Sequence, residues 1–141
     1  MEKLNTKING QSKKRILVID DEELLTRTFS LLLEKNGYQV SIAKNGDEAL
    51  ALYVGNDFSL IICDIRMPGK DGVQTIRLIK NLRVPSKQVP VIFITGFADD
   101  QIEEEAKRLK PLGYLFKPFN VQELMGLVKS GVRLETNRTV G

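Results

Sequence analysis

Five short runs of apolar and β-branched residues, separated by segments with helical spacing, constrain the fold of this chain more than any other feature. The runs are RILVID (15–20), YQVSIA (38–43), FSLIICD (58–64), VPVIFIT (89–95) and GYLFKP (113–118). Four of them are continuous rather than alternating, which is typical of strands buried on both faces of a parallel sheet. Apolar residues in the intervening segments recur on one helical face. The sequence therefore predicts five consecutive βα units and a doubly wound α/β domain with right-handed crossovers.

Asparagine, glycine and proline mark the predicted ends of the helices. Asn36-Gly37 closes the first helix and Gly55-Asn56 closes the second. Pro85 falls in the loop that follows the third helix.

The composition excludes several kinds of chemistry. The chain of 141 residues contains no histidine, which excludes histidine-based zinc sites and Ser-His-Asp or Cys-His catalysis. The single cysteine, Cys63, lies inside the third apolar run, so we expect a buried thiol without an intramolecular disulfide. No stretch approaches the roughly 20 apolar residues that span a bilayer, and the segment MEKLNTKINGQSKKR (1–15) lacks the apolar core of a secretory signal. We therefore expect a soluble cytoplasmic protein without a membrane partner.

The net charge of +3 comes from the N-terminus. Residues 1–15 carry five Lys or Arg and one Glu, which is +4, while the rest carries 16 Lys or Arg against 17 Asp or Glu, which is −1. A solvated basic tail explains this distribution better than a nucleic-acid surface on the folded part.

Charged and polar residues stand at the carboxyl ends of the predicted strands. They are Asp20 and Asp21 after the first strand, Asp64 after the third, Thr95 after the fourth and Lys117 after the fifth. Because the strands are parallel, these ends lie at one edge of the sheet. Three neighbouring carboxylates raise one another's pKa values unless a cation lies among them, and an all-oxygen site suits Mg²⁺.

A lysine and a hydroxyl beside such a metal site indicate phosphoryl chemistry. The ammonium of Lys117 and the hydroxyl of Thr95 would surround the oxygens of a phosphoryl group together with the metal. We therefore predict that Asp64 accepts a phosphoryl group, since transfer to a carboxylate requires mainly in-line positioning and charge neutralisation. Each residue also has an ordinary structural explanation. In particular, Asp20 could cap the first helix with Glu23 as its capping-box partner.

From about Lys14 to about Gly131, the chain resembles the receiver domain of response regulators in two-component signalling. The resemblance rests on the acidic pair in VIDDEE, on CDIRMPGKDG, on FITGF and on LFKPF. It implies a flavodoxin-like (βα)5 sandwich with a five-stranded parallel sheet in the order 2-1-3-4-5. It also divides the chain into a flexible basic N-terminal tail (1–13), a receiver domain (14–131) and a C-terminal tail or start of a linker (132–141).

The resemblance assigns a role to each residue at the strand ends. Asp64 would be the phosphoacceptor, while Thr95 and Lys117 would bind the phosphoryl oxygens. By the same resemblance, Mg²⁺ would be held by Asp20, Asp21, Asp64 and the main-chain carbonyl of Arg66. The peptide bond between Lys117 and Pro118 is expected to be cis.

The resemblance also predicts a conformational switch. In the family, the hydroxyl residue moves toward the phosphoryl group and an aromatic residue on the fifth strand rotates inward. Tyr114 occupies that place here, so the surface of the fourth helix, fifth strand and fifth helix would change. Many members have Gly-Ala where this chain has Lys110-Pro111. The fourth helix must therefore end differently.

Two bulky residues are expected to flank the phosphoryl group. Arg66 lies two residues after Asp64, and Phe97 lies two residues after Thr95. We hypothesise that Arg66 and Phe97 restrict the water that attacks the aspartyl phosphate, which lengthens its lifetime.

The favoured function is a signalling switch that catalyses only its own phosphorylation and Mg²⁺-dependent dephosphorylation. Its phosphoryl group would come from a partner histidine kinase or a His-containing phosphotransfer protein, because this chain has no histidine. The signal would pass to a downstream protein target or output domain, with no DNA-binding domain in this chain. Dimerisation through the fourth helix, fifth strand and fifth helix stays open.

Two alternatives belong to other classes. The first is a Mg²⁺-dependent phosphohydrolase with an Asp nucleophile, which usually needs a second carboxylate two residues after the nucleophile. Here Asp20 is followed by Asp21 and Glu22, which is a weaker arrangement. The second is a binding module that works without phosphorylation, although intact Asp64, Thr95 and Lys117 argue against it. Neither GxGxxG nor GxxxxGK[ST] occurs, which disfavours nucleotide binding.

Overall fold

A parallel sheet forms the centre of the molecule. The computed structural model describes residues 7–8, 11–82, 88–97 and 99–140. The sheet strands in these ranges are β1 Arg15–Ile19, β2 Gln39–Ala43, β3 Leu60–Asp64, β4 Val91–Thr95 and β5 Gly113–Phe116. All neighbouring pairs are parallel, and the order across the sheet is β2-β1-β3-β4-β5. This order confirms the prediction of a 2-1-3-4-5 sheet.

One helix follows each strand of this five-stranded sheet. The helices are α1 Glu23–Lys35, α2 Gly46–Gly55, α3 Gly72–Lys80, α4 Asp100–Arg108 and α5 Val121–Val140. The predicted ends of α1 and α2 are confirmed, because the C-caps are Asn36 and Asn56. Pro85 lies outside the described residues. None of the described helices is long and apolar enough to cross a membrane.

Both faces of the sheet are covered, which explains the continuous apolar runs. In β1, Leu17 and Ile19 belong to the core beneath α2, α3 and α4, while Ile16 and Val18 belong to the core beneath α1 and α5. All four side chains are fully buried. Cys63 is also fully buried and free, as predicted.

Two segments outside the predicted domain have regular structure. Lys7–Ile8 pairs antiparallel with Gln11–Ser12, inside the segment that was expected to be a flexible tail. Helix α5 continues to Val140, beyond the predicted boundary at residue 131. Val132 is buried against the core, so the helix is anchored there, and each further residue then adds one backbone hydrogen bond. The domain boundaries themselves stay predictions.

The Lys110-Pro111 pair closes α4 in an uncommon way. Lys110 has a φ of 54°, in the left-handed region that glycine usually occupies. Its backbone N–H donates to the carbonyl of Lys107 at 3.0 Å, which closes the last turn. A residue with a Cβ in this conformation costs about 1 kcal/mol relative to glycine. Pro111 then prevents the helix from continuing.

Gly72 allows the loop after β3 to return onto the end of that strand. Its backbone N–H donates to the carbonyl of Ile65 at 2.7 Å. A Cβ at Gly72 would lie 2.2 Å from the backbone oxygen of Asp64. At the same point Asp71 caps α3 through a capping box with Gln74. The start of α3 is therefore packed directly on the backbone of Asp64.

We expect Gly72→Ala to lower the free energy of unfolding by about 1–3 kcal/mol, because the added methyl overlaps rigid backbone. The matched control is Gly126→Ala in α5, where an added Cβ would have no neighbour within 4 Å. That control should raise the free energy of unfolding by about 0.5–1 kcal/mol. Urea unfolding of both variants measures these changes, and equal effects of the two substitutions would contradict the close packing at Gly72.

Candidate functional site

Three carboxylates meet where β1 and β3 end side by side. Asp20 and Asp21 directly follow β1, Asp64 is the last residue of β3, and the two strands are paired neighbours. One oxygen of each carboxylate lies within 4.8 Å of the others. Asp20 and Asp64 are almost completely buried, whereas Asp21 is exposed. The structure thus brings together the three acidic residues that the sequence singled out.

Lys117 reaches this cluster from the end of β5. Its Nζ lies 3.3 Å from Asp20 Oδ2, 3.5 Å from Asp64 Oδ2 and 2.8 Å from Glu22 Oε1. Its backbone N–H donates to the carbonyl of Thr95 at 2.8 Å, which fixes the start of the loop. The Lys117–Pro118 peptide bond is cis, as expected.

Glu22 is a member of this group that the sequence interpretation missed. It is the N-cap residue of α1, but its side chain makes no capping hydrogen bond. Its backbone N–H instead donates to Asp20 Oδ1 at 2.9 Å. The capping box proposed for Asp20 and Glu23 is therefore wrong, because Asp20 lies two residues before the N-cap, Glu22. The sequence feature that could have identified it is the third acidic residue of VIDDEE, which is Glu22.

Thr95 is buried at the end of β4, and its hydroxyl is engaged locally. The hydroxyl accepts a hydrogen bond from the N–H of Phe97 at 3.1 Å and donates to the Phe97 carbonyl at 3.4 Å. Since β4 pairs directly with β3, Thr95 stands beside the strand that ends in Asp64. Its O–H must leave the Phe97 carbonyl before it can donate a hydrogen bond to another group.

Arg66 and Phe97 join the two loops above the site. The guanidinium carbon of Arg66 lies 3.6 Å from the centroid of the Phe97 ring, which is cation–π geometry. Arg66 follows β3 and Phe97 follows β4, so the contact bridges the two strands that carry Asp64 and Thr95.

Tyr114 lies on β5, away from the acidic cluster. Its ring centroid is 6.4 Å from that of Phe93 and 5.4 Å from that of Phe116. The side chain is half-buried. Burial raises the pKa of Tyr114, and the nearby charges of Glu103 and Asp99 on the α4 side add to this shift.

The site carries more negative than positive charge. Burial, together with the charge of Asp20, raises the pKa of Asp64 to about 6, although Lys117 and a backbone hydrogen bond from Arg66 oppose the shift. Burial also raises the pKa of Asp20. Burial lowers the pKa of Lys117, but its hydrogen bond to Glu22 and the neighbouring carboxylates outweigh this and raise it. An oxygen-only group with this excess charge fits a hard divalent cation such as Mg²⁺.

Without a metal ion, we expect the protein to lose stability as the pH rises from about 4 to about 7. The pKa of Asp64 is about 6 in the folded state against a usual value of 3.8. Between these values the folded state binds more protons than the unfolded state, so its stability falls as the pH rises. The shift corresponds to a loss of at most about 3 kcal/mol. Urea unfolding in EDTA at several pH values measures it.

Asp64→Asn should remove most of this pH dependence and stabilise the protein at pH 7, since the amide carries no charge. The matched control is Asp47→Asn, which changes an exposed aspartate that pairs with Lys70 at 2.7 Å. That control should keep the wild-type slope. Equal slopes in the wild type and Asp64→Asn would contradict the raised pKa of Asp64.

Comparisons with known proteins agree with this geometry. The family model described as the response regulator receiver domain matches residues 16–129. A crystal structure of a CheY-like receiver domain protein from Methanospirillum hungatei has a TM-score of 0.82 and 28% identity, covering 89% of this chain and 98% of that one. A Francisella receiver domain has a TM-score of 0.76 and 26% identity, covering 86% of this chain and 98% of that one. These likenesses confirm the flavodoxin-like (βα)5 fold.

Curated relatives include proteins of different length. Sporulation initiation phosphotransferase F of Bacillus subtilis is 29% identical over 124 residues, which are 88% of this chain and 98% of that protein. The uncharacterized transcriptional regulatory protein YkoG of the same species is 35% identical over 130 residues, or 90% of this chain and 54% of the relative. The regulatory protein AtoC of Escherichia coli is 34% identical, and the match covers 86% of this chain and 26% of that protein. The chain thus spans about half, or less, of the length of the transcriptional regulators it matches.

These matches agree with the acidic edge of the sheet. Receiver domains bind Mg²⁺ through an acidic pocket and interact with histidine kinases or phosphotransfer proteins. They are signalling modules of two-component systems rather than metabolic enzymes. With a match over residues 16–129 and receiver domains among its structural neighbours, this chain belongs to the response regulator receiver domain family.

Proposed function

We propose that this chain is a phosphorylation-dependent signalling switch in which Asp64 accepts a phosphoryl group from a histidine kinase or a His-containing phosphotransfer protein. One observation carries the proposal. The buried carboxylate of Asp64 lies within 4.8 Å of two other carboxylates and 3.5 Å from the ammonium of Lys117. A nucleophile, the ligands for a cation and a fixed positive charge thus lie within one small volume, as phosphoryl transfer requires.

In the transfer step, a carboxylate oxygen of Asp64 attacks the phosphorus of the donor in line with the leaving group. A bond forms between that oxygen and phosphorus, and the phosphorus–nitrogen bond of the donor's phosphohistidine breaks with its electron pair on the imidazole. Asp20, Asp21, Asp64 and the main-chain carbonyl of Arg66 would hold Mg²⁺. The ion, when bound, neutralises negative charge on the phosphoryl oxygens.

Two residues would bind the transferred group. Lys117 supplies a positive charge that already lies at the cluster, so little reorganisation is needed. Thr95 would exchange the hydrogen bond that it donates to the Phe97 carbonyl for one to a phosphoryl oxygen. That exchange moves the loop between β4 and α4, and Tyr114 would then rotate into the space beside β4. The surface of α4, β5 and α5 would carry the change to a downstream protein.

Removal of the phosphoryl group would follow the same geometry, with water attacking phosphorus and the Asp64 carboxylate leaving. The stacked Arg66 and Phe97 side chains bridge the loops above Asp64. They would narrow the path of that water and so slow autodephosphorylation.

Incubation with Mg²⁺ and acetyl phosphate should add one phosphoryl group to the wild-type protein, measured by intact mass. Asp64→Asn and EDTA should each prevent the gain, because the first removes the nucleophile and the second removes the cation. Asp47→Asn, which alters an exposed aspartate on α2, should be phosphorylated normally. A folded wild-type protein that gains no mass would overturn the proposal, and continuous release of phosphate from small esters would favour the phosphohydrolase instead.

We expect Arg66→Asn and Phe97→Ala to speed the decay of the aspartyl phosphate by about threefold to tenfold, since either change opens the stack. The control is Arg108→Asn, which removes an exposed arginine that pairs with Glu104 on α4. Loss of the added mass with time gives the decay rate. An unchanged rate in both site variants would remove the idea that the stack restricts water.

A further inference from the structure

The shortest contact of the Lys117 ammonium is not with a member of the three-carboxylate cluster. Its Nζ lies 2.8 Å from Glu22 Oε1, against 3.3 Å for Asp20 and 3.5 Å for Asp64. Glu22 is absent from the group of oxygens that could hold a metal ion. An ammonium has three hydrogens, and here three different carboxylates lie around it. A phosphoryl oxygen that binds Lys117 would therefore compete with these carboxylates for the same ammonium hydrogens.

Exposure shows which of the three carboxylates is easiest to displace. The side chain of Glu22 is 61% exposed, whereas those of Asp20 and Asp64 are 0% and 4% exposed. Glu22 can turn into water and be solvated, which a buried carboxylate cannot do. Asp20 and Asp64 are also fixed by their place in the proposed metal site.

We propose that Glu22 is a positioning residue that holds the Lys117 ammonium in the unphosphorylated protein and is displaced from it by the phosphoryl group. The inference rests on the proposed role of Asp64 as phosphoacceptor. Glu22 is then a competitor for the same hydrogen-bond donor. Its contact stabilises the unphosphorylated state and weakens the binding of a phosphoryl group by the amount of that contact.

The backbone hydrogen bond of Glu22 and its place at the start of α1 do not depend on the contact with Lys117. Its backbone N–H donates to Asp20, and its side chain makes no capping hydrogen bond to α1. Substitution of the side chain therefore leaves the helix cap and the orientation of Asp20 intact. Glu23 offers a matched control, because it is also acidic, lies one residue further on and pairs with Arg27 rather than with Lys117.

The test compares the affinity of beryllofluoride, a phosphoryl analogue, in the presence of Mg²⁺ by NMR titration of the wild type and three variants. We expect Glu22→Gln to lower the half-saturating concentration by about twofold to fivefold, the scale of a solvent-exposed ion pair. Glu22→Asp should behave in the same way, because its side chain is shorter by one C–C bond, about 1.5 Å, and its carboxylate no longer reaches Lys117. Glu23→Gln should match the wild type.

The aspartate variant separates a specific contact from general charge repulsion. If Glu22→Asp binds like the wild type while Glu22→Gln binds more tightly, only the negative charge matters and the inference is overturned. Weaker binding by Glu22→Gln would also overturn it, since Glu22 would then prepare Lys117 for the phosphoryl group.

A second measurement separates this inference from the proposed function. In EDTA and without an analogue, the ¹⁵Nζ resonance of Lys117 should shift in Glu22→Gln and Glu22→Asp but not in Glu23→Gln. No shift would overturn the inference alone. If the resonance shifts in these variants but the wild-type protein fails to bind beryllofluoride, the proposed phosphoacceptor function is overturned instead, and the displacement with it.

Discussion

A buried carboxylate at the end of the central strand is the constraint on which the rest of this structure depends. Burial and the neighbouring Asp20 raise the pKa of Asp64 to about 6, and Lys117 only partly offsets this. The sheet order makes the arrangement available, because β3 lies between β1, which leads into Asp20 and Asp21, and β4, which ends in Thr95. Close packing of Gly72 on the Asp64 backbone fixes the strand end from the other side.

Two groups at this site, the ammonium of Lys117 and the hydroxyl of Thr95, would exchange their present contacts for contacts with a phosphoryl group. Lys117 contacts three carboxylates, and the hydroxyl of Thr95 is engaged with the backbone of Phe97. In the proposed function, a phosphoryl group would compete for both. The unphosphorylated state is therefore stabilised by contacts that phosphorylation would replace, which is the physical basis of a two-state switch.

Much of the fold could be predicted from the sequence pattern, because strands and helix ends are determined by residues that are close together along the chain. A strand covered by helices on both faces must be apolar at consecutive positions, as Ile16 to Ile19 are. Helix ends at Asn36 and Asn56 followed from short-range backbone preferences. The helix over 132–140 was not expected, because those residues have little apolar periodicity and their helix extends from an anchored segment.

The sequence by itself determined the strands, their parallel direction and which residues stand at their carboxyl ends, since periodicity and the alternation of elements encode these, while the strand order was predicted from the family resemblance. Only the tertiary structure decided how those side chains share their partners. The contact of Lys117 with Glu22 joins residues 95 positions apart, and the stack of Arg66 on Phe97 joins two loops. Such contacts depend on side-chain directions and on how the strand ends are brought together in the sheet, and no pattern along the chain specifies these.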